Sequence, residues 1–255
     1  MTLQVERLAS PAAVAQAASG HLDAWARQAV QERGRFVLAL AGGSTPRAAY
    51  QAWASQGRVD WSKGLLVFGD ERCVPPDHPQ SNHRMVQEAL LAHLPRQPRV
   101  LRMPGEAADR AAAAQDYAAQ LQIALGAGAQ GAASRLPDGR LDMALLGMGE
   151  DGHTASLFPG QPALHEAERL CLAVRAPVGP AAEATPWRLT LTLPVLRGAR
   201  QVLFLVCGRD KAAVVQRVLH GPLEPESLPA QFFLRDGRVD STLLLDEAAA
   251  SAALD

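Results

Sequence analysis

Five short runs of the chain are continuously apolar or nearly so: FVLAL (Phe36–Leu40), LLVFG (Leu65–Gly69), MALLG (Met143–Gly147), LTLTL (Leu189–Leu193) and VLFLV (Val202–Val206). Each is bounded by Gly, Pro, Asp or Arg. A strand with one wet face alternates apolar and polar residues; runs without that alternation predict strands buried on both faces, as in a parallel sheet covered by helices. Between the runs lie longer segments of helical character, Pro11–Gln31, Pro46–Trp53, Asn82–Leu94, Glu106–Leu125 and Asp210–Leu219, and Asp246–Asp255 reads as a terminal helix docked on the body. Strands alternating with helices predict a doubly wound α/β fold, Rossmann-like, with a mostly parallel sheet flanked by helices. Gly126–Arg140, rich in Gly, Ala and Ser, and Ala176–Pro186, rich in Pro and Ala, predict surface loops. Composition does not change across either, so residues 1–255 are expected to form a single domain.

Open α/β sheets bind ligands beyond the carboxyl ends of their strands, so the residues just after each run are the first candidates for chemistry. After FVLAL comes Ala41-Gly42-Gly43-Ser44-Thr45-Pro46. Two glycines permit a sharp turn and close backbone approach to a ligand; Ser44 or Thr45 is placed to cap the next helix, with Pro46 in its first turn. Free N–H groups and hydroxyls at a helix N-terminus suit a phosphate, although an ordinary strand-to-helix turn has the same ingredients. After LLVFG comes Asp70-Glu71-Arg72, then Ser81-Asn82. This is either a rim salt bridge worth little, or a site in which Asp70 orients a base or water and Arg72 grips an anion.

The third cluster, Gly147-Met148-Gly149-Glu150-Asp151-Gly152-His153-Thr154-Ala155-Ser156, contains a literal G-x-G-x-x-G. A dinucleotide fingerprint is excluded on three grounds. Asp151 would repel a pyrophosphate, Pro159-Gly160 leaves too little room for a crossover helix, and the first run carries GGSTP instead. What remains is a glycine-rich turn presenting His153 two residues after Asp151. A neutral imidazole can take a proton from water near neutral pH, and a nearby carboxylate stabilises the imidazolium formed. Arg188, at the entry to LTLTL, and Lys211, after VLFLV in Gly208-Arg209-Asp210-Lys211, face the same end of the sheet, with Arg209 a competitor for the second role.

Composition narrows the classes. The net charge of -1 and pI near 6.7 offer no electrostatic grip on nucleic acid or an anionic membrane. Cys73, Cys171 and Cys207 are widely spaced and odd in number, as in a reduced cytosolic protein rather than a disulfide framework or zinc site. The opening MTLQVERLAS predicts no secretory signal, and no run approaches the roughly 18 apolar residues of a membrane span. A cytoplasmic, soluble protein is expected, as a monomer or small homo-oligomer.

GGSTP, DERxVPxxxxxSN and GMGxDGHTASLFPG, in this order and at these spacings, resemble the glucosamine-6-phosphate isomerase/6-phosphogluconolactonase superfamily, and within it the lactonases. The likeness continues through Arg188–Pro194, Gly208–Lys211 and Leu228-Pro229-Ala230, so it spans nearly the whole chain. It implies hydrolysis of 6-phospho-D-glucono-1,5-lactone in the oxidative pentose phosphate pathway, with no metal and no organic cofactor. Carried over by position, His153 is the general base, assisted by Asp151 or Asp70. Gly42, Gly43, Ser44, Thr45, Arg188 and Lys211 hold the phosphate, and Asp70 and Arg72 line the sugar end. Ala41, Glu150 and Thr185-Pro186-Trp187 depart from the usual pattern. Glucosamine-6-phosphate deaminases of the sister family have a loop resembling DGHxAxxEP, whose glutamate position is Phe158 here. A non-catalytic sugar-phosphate sensor is the other alternative, disfavoured by the intact Asp70, Asp151 and His153. No G-x-S-x-G elbow is present, so direct attack by water is expected rather than an acyl-enzyme.

Overall fold

The structure is a computed structural model in which residues 2–126, 139–177 and 185–253 are described. Most of the segment Gly126–Arg140 and part of Ala176–Pro186 lie outside them. The apolar runs form strands: β2 (Phe36–Leu40), β3 (Gly64–Phe68), β6 (Met143–Leu146) and β9 (Gln201–Val206), joined by β1 (Leu3–Leu8), β5 (Arg99–Val100) and β10 (Ser241–Asp246). They make one seven-stranded sheet in the order β1-β10-β9-β6-β2-β3-β5, every neighbouring pair parallel. All residues of β2, β3, β6 and β10 are buried, the environment that a run without polar alternation demands. The expected doubly wound α/β class is borne out.

Parallel neighbours require crossovers, and helices supply them. Helix α1 (Pro11–Arg33) is started by the Ser10 side chain, which accepts from Ala13 N, and ended by Gly34 at φ 74. Its stripe Val14, Ala18, Leu22, Ala26 and Ala29 is fully buried, packing α1 on β2, β9 and β10 and on helix α2 (Ser44–Gln56). Helix α3 (Asn82–Ala89) is shorter than its predicted segment and passes into a 3₁₀ turn at Leu91–His93. Helix α4 (Arg110–Leu125) starts later than Glu106, because the Asp109 side chain accepts from the N–H groups of Ala111 and Ala112. The C-terminal helix is a single turn, Glu247–Ala250, capped by Asp246.

One run is misplaced by the parallel-sheet expectation. LTLTL lies in a second, three-stranded antiparallel sheet, β4 (Asp70–Arg72), β8 (Trp187–Leu191) and β7 (Cys171–Arg175), ordered β4-β8-β7. The reason is visible in its alternation: Leu189 and Leu191 enter the core, while the buried Thr190 hydroxyl donates to the Leu191 carbonyl at 3.0 Å. Asp70-Glu71-Arg72 is thus a strand in its own right, with Arg72 opposite Arg188.

The strand order has a functional consequence. From β2 the chain moves outward to β3 and β5; from β6 it moves the other way, to β9 and β10. β2 and β6 are neighbours, so the loops leaving their carboxyl ends diverge and open a crevice at this switch point.

Asp23 ties three of these pieces together. Its buried carboxylate accepts from Trp53 Nε1 at 3.2 Å, Arg58 N at 2.7 Å and Val59 N at 3.0 Å, joining α1 to the end of α2 and the segment entering β3. Asp23→Ala orphans these donors and is expected to lower stability by about 2–4 kcal/mol. Urea denaturation with an unchanged m-value checks it.

Candidate active site

The crevice is a cavity of about 340 Å³ lined by residues following four strands: Leu40–Gly43 after β2, Gly69, Asp70 and Arg72 after β3, Leu145–Gly149 and His153–Ala155 after β6, and Lys211 after β9, with Asn82 from α3. Each loop reaches it through a specific local device.

At the β2 end, Gly43 is the N-cap of α2, with φ 107 and no side-chain cap. Ser44 and Thr45 therefore do not cap the helix, as their types predicted. They are its first two residues, because a backbone angle reserved for glycine already starts the helix. Among the described residues no side chain takes up the first-turn N–H groups, which keep the positive end of the helix available to an anion. Gly42 is required by contact: a Cβ there would lie 2.0 Å from Asn82 Oδ1.

At the β3 end, Glu71 is the residue that sequence reasoning passed over. It is 2% exposed and accepts from Arg72 N, Asn82 N and His83 N at 2.7 Å each, and from Ser81 Oγ at 3.1 Å. One buried carboxylate thus ties β4 to the start of α3 and so places Asp70, Arg72 and Asn82. Burial lifts its pKa above the usual carboxylate range in spite of those bonds. The nearest signal in the sequence was Ser81-Asn82, eleven residues on, which gave no hint of pairing with Glu71.

The β6 loop presents His153. Its Nδ1 lies 2.5 Å from Asp151 Oδ1, which also accepts from the His153 backbone N–H at 3.1 Å. Of the two carboxylates proposed to hold the imidazole, Asp151 does so. Asp70 instead accepts from Ser156 Oγ at 2.6 Å, steadying the same loop from across the cavity. With Nδ1 engaged, Nε2 is the nitrogen left for chemistry. Burial opposes charge on Asp151, but the hydrogen bonds from His153 outweigh it and hold the carboxyl below its usual pKa. Phe158 packs on the imidazole, ring centroids 4.8 Å apart.

The glycines of this loop serve His153 rather than a nucleotide. No helix opens at Gly152; the chain makes a Thr154–Leu157 bridge instead. A Cβ on Gly149 would lie 2.2 Å from His153 Nδ1, and Gly149 N donates to the His153 carbonyl at 2.9 Å. Gly152, at φ 84, accepts from Ala230 N at 2.9 Å with Leu228 packed on its Cα. The Leu228-Pro229-Ala230 motif is therefore a buttress for the His153 loop.

Lys211 ends a 3₁₀ turn after β9, its Nζ 3.5 Å from Asp210 Oδ2 and 3.8 Å from Glu150 Oε1. The turn is positioned by buried Asp246, which accepts from Gly208 N at 3.0 Å. Arg188 is 4% exposed, and its Nη1 donates to the Thr185 carbonyl, to Thr185 Oγ1 at 3.1 Å and to the Trp187 carbonyl at 3.0 Å. Burial and the neighbouring Arg72 lower its pKa, the cost of setting two guanidinium groups side by side. Of the predicted residues, Gly42, Gly43, Asp70, Arg72, His153 and Lys211 line the cavity; Ser44, Thr45, Asp151 and Arg188 stand behind or beside it. Among the described residues no three His, Cys, Asp or Glu side chains gather as a metal site, and no helix is long and apolar enough to cross a membrane.

Fold and cavity define a doubly wound α/β enzyme with a histidine–carboxylate pair at its switch point. The chain belongs to the glucosamine-6-phosphate isomerase/6-phosphogluconolactonase family, which matches residues 9–242. It is 40% identical over 223 residues to a 6-phosphogluconolactonase of Rattus norvegicus, covering 86% of this chain and 80% of that protein. The crystal structure of 6-phosphogluconolactonase from Leishmania guyanensis superposes with a TM-score of 0.81 at 30% identity, over 100% of both chains. A monomeric glucosamine-6-phosphate deaminase superposes at a TM-score of 0.80 over 98% of this chain and 99% of that one, at 24% identity. The fold alone thus does not separate the two branches.

Gly149→Ala is expected to displace the His153 ring and lower kcat at least tenfold, as misplaced catalytic groups do, with the cavity's other walls intact; steady-state kinetics beside a crystal structure of the variant check both. Because Asp151 ionises more readily folded than unfolded, its contribution to stability is present above the usual carboxylate range and is lost as pH falls through the lowered folded value. Asp151→Asn is expected to flatten that acid limb in Tm measured against pH.

Proposed function

We propose that this chain hydrolyses 6-phospho-D-glucono-1,5-lactone to 6-phospho-D-gluconate, in the oxidative pentose phosphate pathway, by attack of water activated by His153. The observation that carries the mechanism is the 2.5 Å Asp151–His153 contact in a loop whose glycines make room for the ring. A lactone is an activated ester, so no covalent nucleophile is needed. His153 Nε2 removes a proton from water as its oxygen bonds to C1, and the carbonyl electrons move to the exocyclic oxygen. Asp151 stabilises the imidazolium. Collapse of the tetrahedral intermediate breaks the bond from C1 to the ring oxygen, which takes the proton back from the imidazolium. The products are a carboxylic acid and a free hydroxyl, and the histidine is regenerated. Arg72 and loop N–H groups face the developing oxyanion. The α2 N-terminus at Gly42, Gly43, Ser44 and Thr45, together with Lys211 and Arg188, takes the phosphate and fixes the ring for attack. No step calls on a metal or an organic cofactor.

Phe158 favours this branch over the deaminases. It occupies the position of their assisting glutamate and offers the imidazole an apolar face, 6% exposed, instead of a carboxylate. His153→Asn is expected to lower kcat at least 100-fold, the usual scale for a general base, measured as acceleration over spontaneous lactone hydrolysis. Retention of kcat within about threefold removes His153 from this role. Ammonia release from glucosamine 6-phosphate by the parent, at rates comparable to lactone hydrolysis, would move the chain to the other branch.

A further inference from the structure

Several buried hydroxyl groups near the cavity are committed to the protein. Ser156 Oγ donates to Asp70 at 2.6 Å, Ser81 Oγ to Glu71 at 3.1 Å, Thr192 Oγ1 to the Arg169 carbonyl at 2.7 Å, and Tyr50 Oη to the Ala41 carbonyl at 2.9 Å. Thr154 differs from these. It is 1% exposed, it lines the cavity next to His153, and its Oγ1 has no hydrogen-bond partner among the described residues. The Thr154 carbonyl accepts from Leu157 N at 3.0 Å, and Ala155, the next residue, is held at φ 48, a left-handed angle that a side chain disfavours. A buried hydroxyl without a partner is a cost that native structures seldom retain without a use.

We infer that the Thr154 hydroxyl is a substrate-binding group of this site, hydrogen-bonding an oxygen of the lactone at the end where His153 acts. The inference rests on the lactone-hydrolysis reading and adds to it a residue that contacts substrate through its hydroxyl alone. Valine is close to threonine in shape and lacks the hydroxyl; serine keeps the hydroxyl and lacks the methyl. These two replacements separate binding from packing.

With the full-length protein and the phosphorylated lactone, Thr154→Val is expected to lower kcat/KM by roughly 10- to 100-fold, the range for losing one donor to a reacting oxygen. Its Tm should equal or exceed that of the parent, because no protein hydrogen bond is lost. Thr154→Ser should retain kcat/KM within about threefold. A valine variant within twofold of the parent overturns the inference, as does a serine variant as impaired as the valine one, or a lowered Tm in the valine variant. A parent that does not accelerate hydrolysis over background defeats the hydrolase reading and this inference with it; an active parent with an unaffected valine variant defeats this inference alone.

Discussion

The imidazole of His153 and the backbone of Gly149 share a space that one methyl group would close. A Cβ on Gly149 would meet Nδ1 at 2.2 Å, Cε1 at 2.3 Å and Asp151 Oδ1 at 2.7 Å, so the ring and its carboxylate are both folded back onto the start of their own loop. Much of the surrounding architecture sustains that fold-back. Ala230 N closes on the Gly152 carbonyl, Gly160 N on the Glu226 carbonyl, and Asp70 holds Ser156. The loop is exposed at its tip, where a substrate must reach it, and tied on its inner side by backbone bonds from a segment some seventy residues later in the chain. Position is thereby fixed while the side chains of His153 and Asp151 stay partly exposed, which limits their desolvation.

The sheet order supplies what this loop cannot. Because β2 and β6 are neighbours whose chains leave in opposite directions, a helix N-terminus and a histidine loop come to face one crevice. The flanking strands β3 and β9 add Arg72 on one side and Lys211 on the other. The antiparallel sheet then ties β4 to β8, setting two arginines opposite each other in register. Two adjacent guanidinium groups, that of Arg188 buried, repel each other, and an anionic ligand relieves that repulsion as well as gaining its own contacts.

Much of this was legible in the sequence, for physical reasons that differ from element to element. The continuous runs at β2, β3, β6 and β9 announce their two-sided burial, and the glycines around His153 announce a loop that must bend sharply. Other features were hidden. β1 is an edge strand with little burial, β5 is two residues long, and β10 has only three apolar residues in succession, so none has the length or pattern of a buried run. LTLTL carries the Leu–Thr alternation of an antiparallel strand, which counting it among the continuous apolar runs overlooks. Glu71 and Asp246 could not be read at all: each works by accepting backbone N–H groups brought to it by tertiary structure, and composition carries no trace of that. The expectation that Ser44 or Thr45 caps the helix failed because a glycine can start a helix by its backbone angle alone.

The two acids beside Lys211 present an apparent conflict, since a lysine already paired is a poor phosphate ligand. Exposure decides the matter. The side chains of Glu150 and Asp210 are 72% and 57% exposed, at 3.8 and 3.5 Å from Nζ, whereas that of Lys211 is 20% exposed. Contacts of that kind, screened by water, are worth at most about 1 kcal/mol each. A phosphate dianion carries more charge than either acid and, in the proposed site, meets the α2 N-terminus at the same time. Its hydrogen bonds from the helix N–H groups and the ammonium are charge-assisted, roughly twice as strong as neutral ones. On the proposed reading the dianion displaces these two rim acids from the lysine. Glu150 contributes a weak, solvent-screened tether between the histidine loop and the lysine loop, two walls of the one crevice.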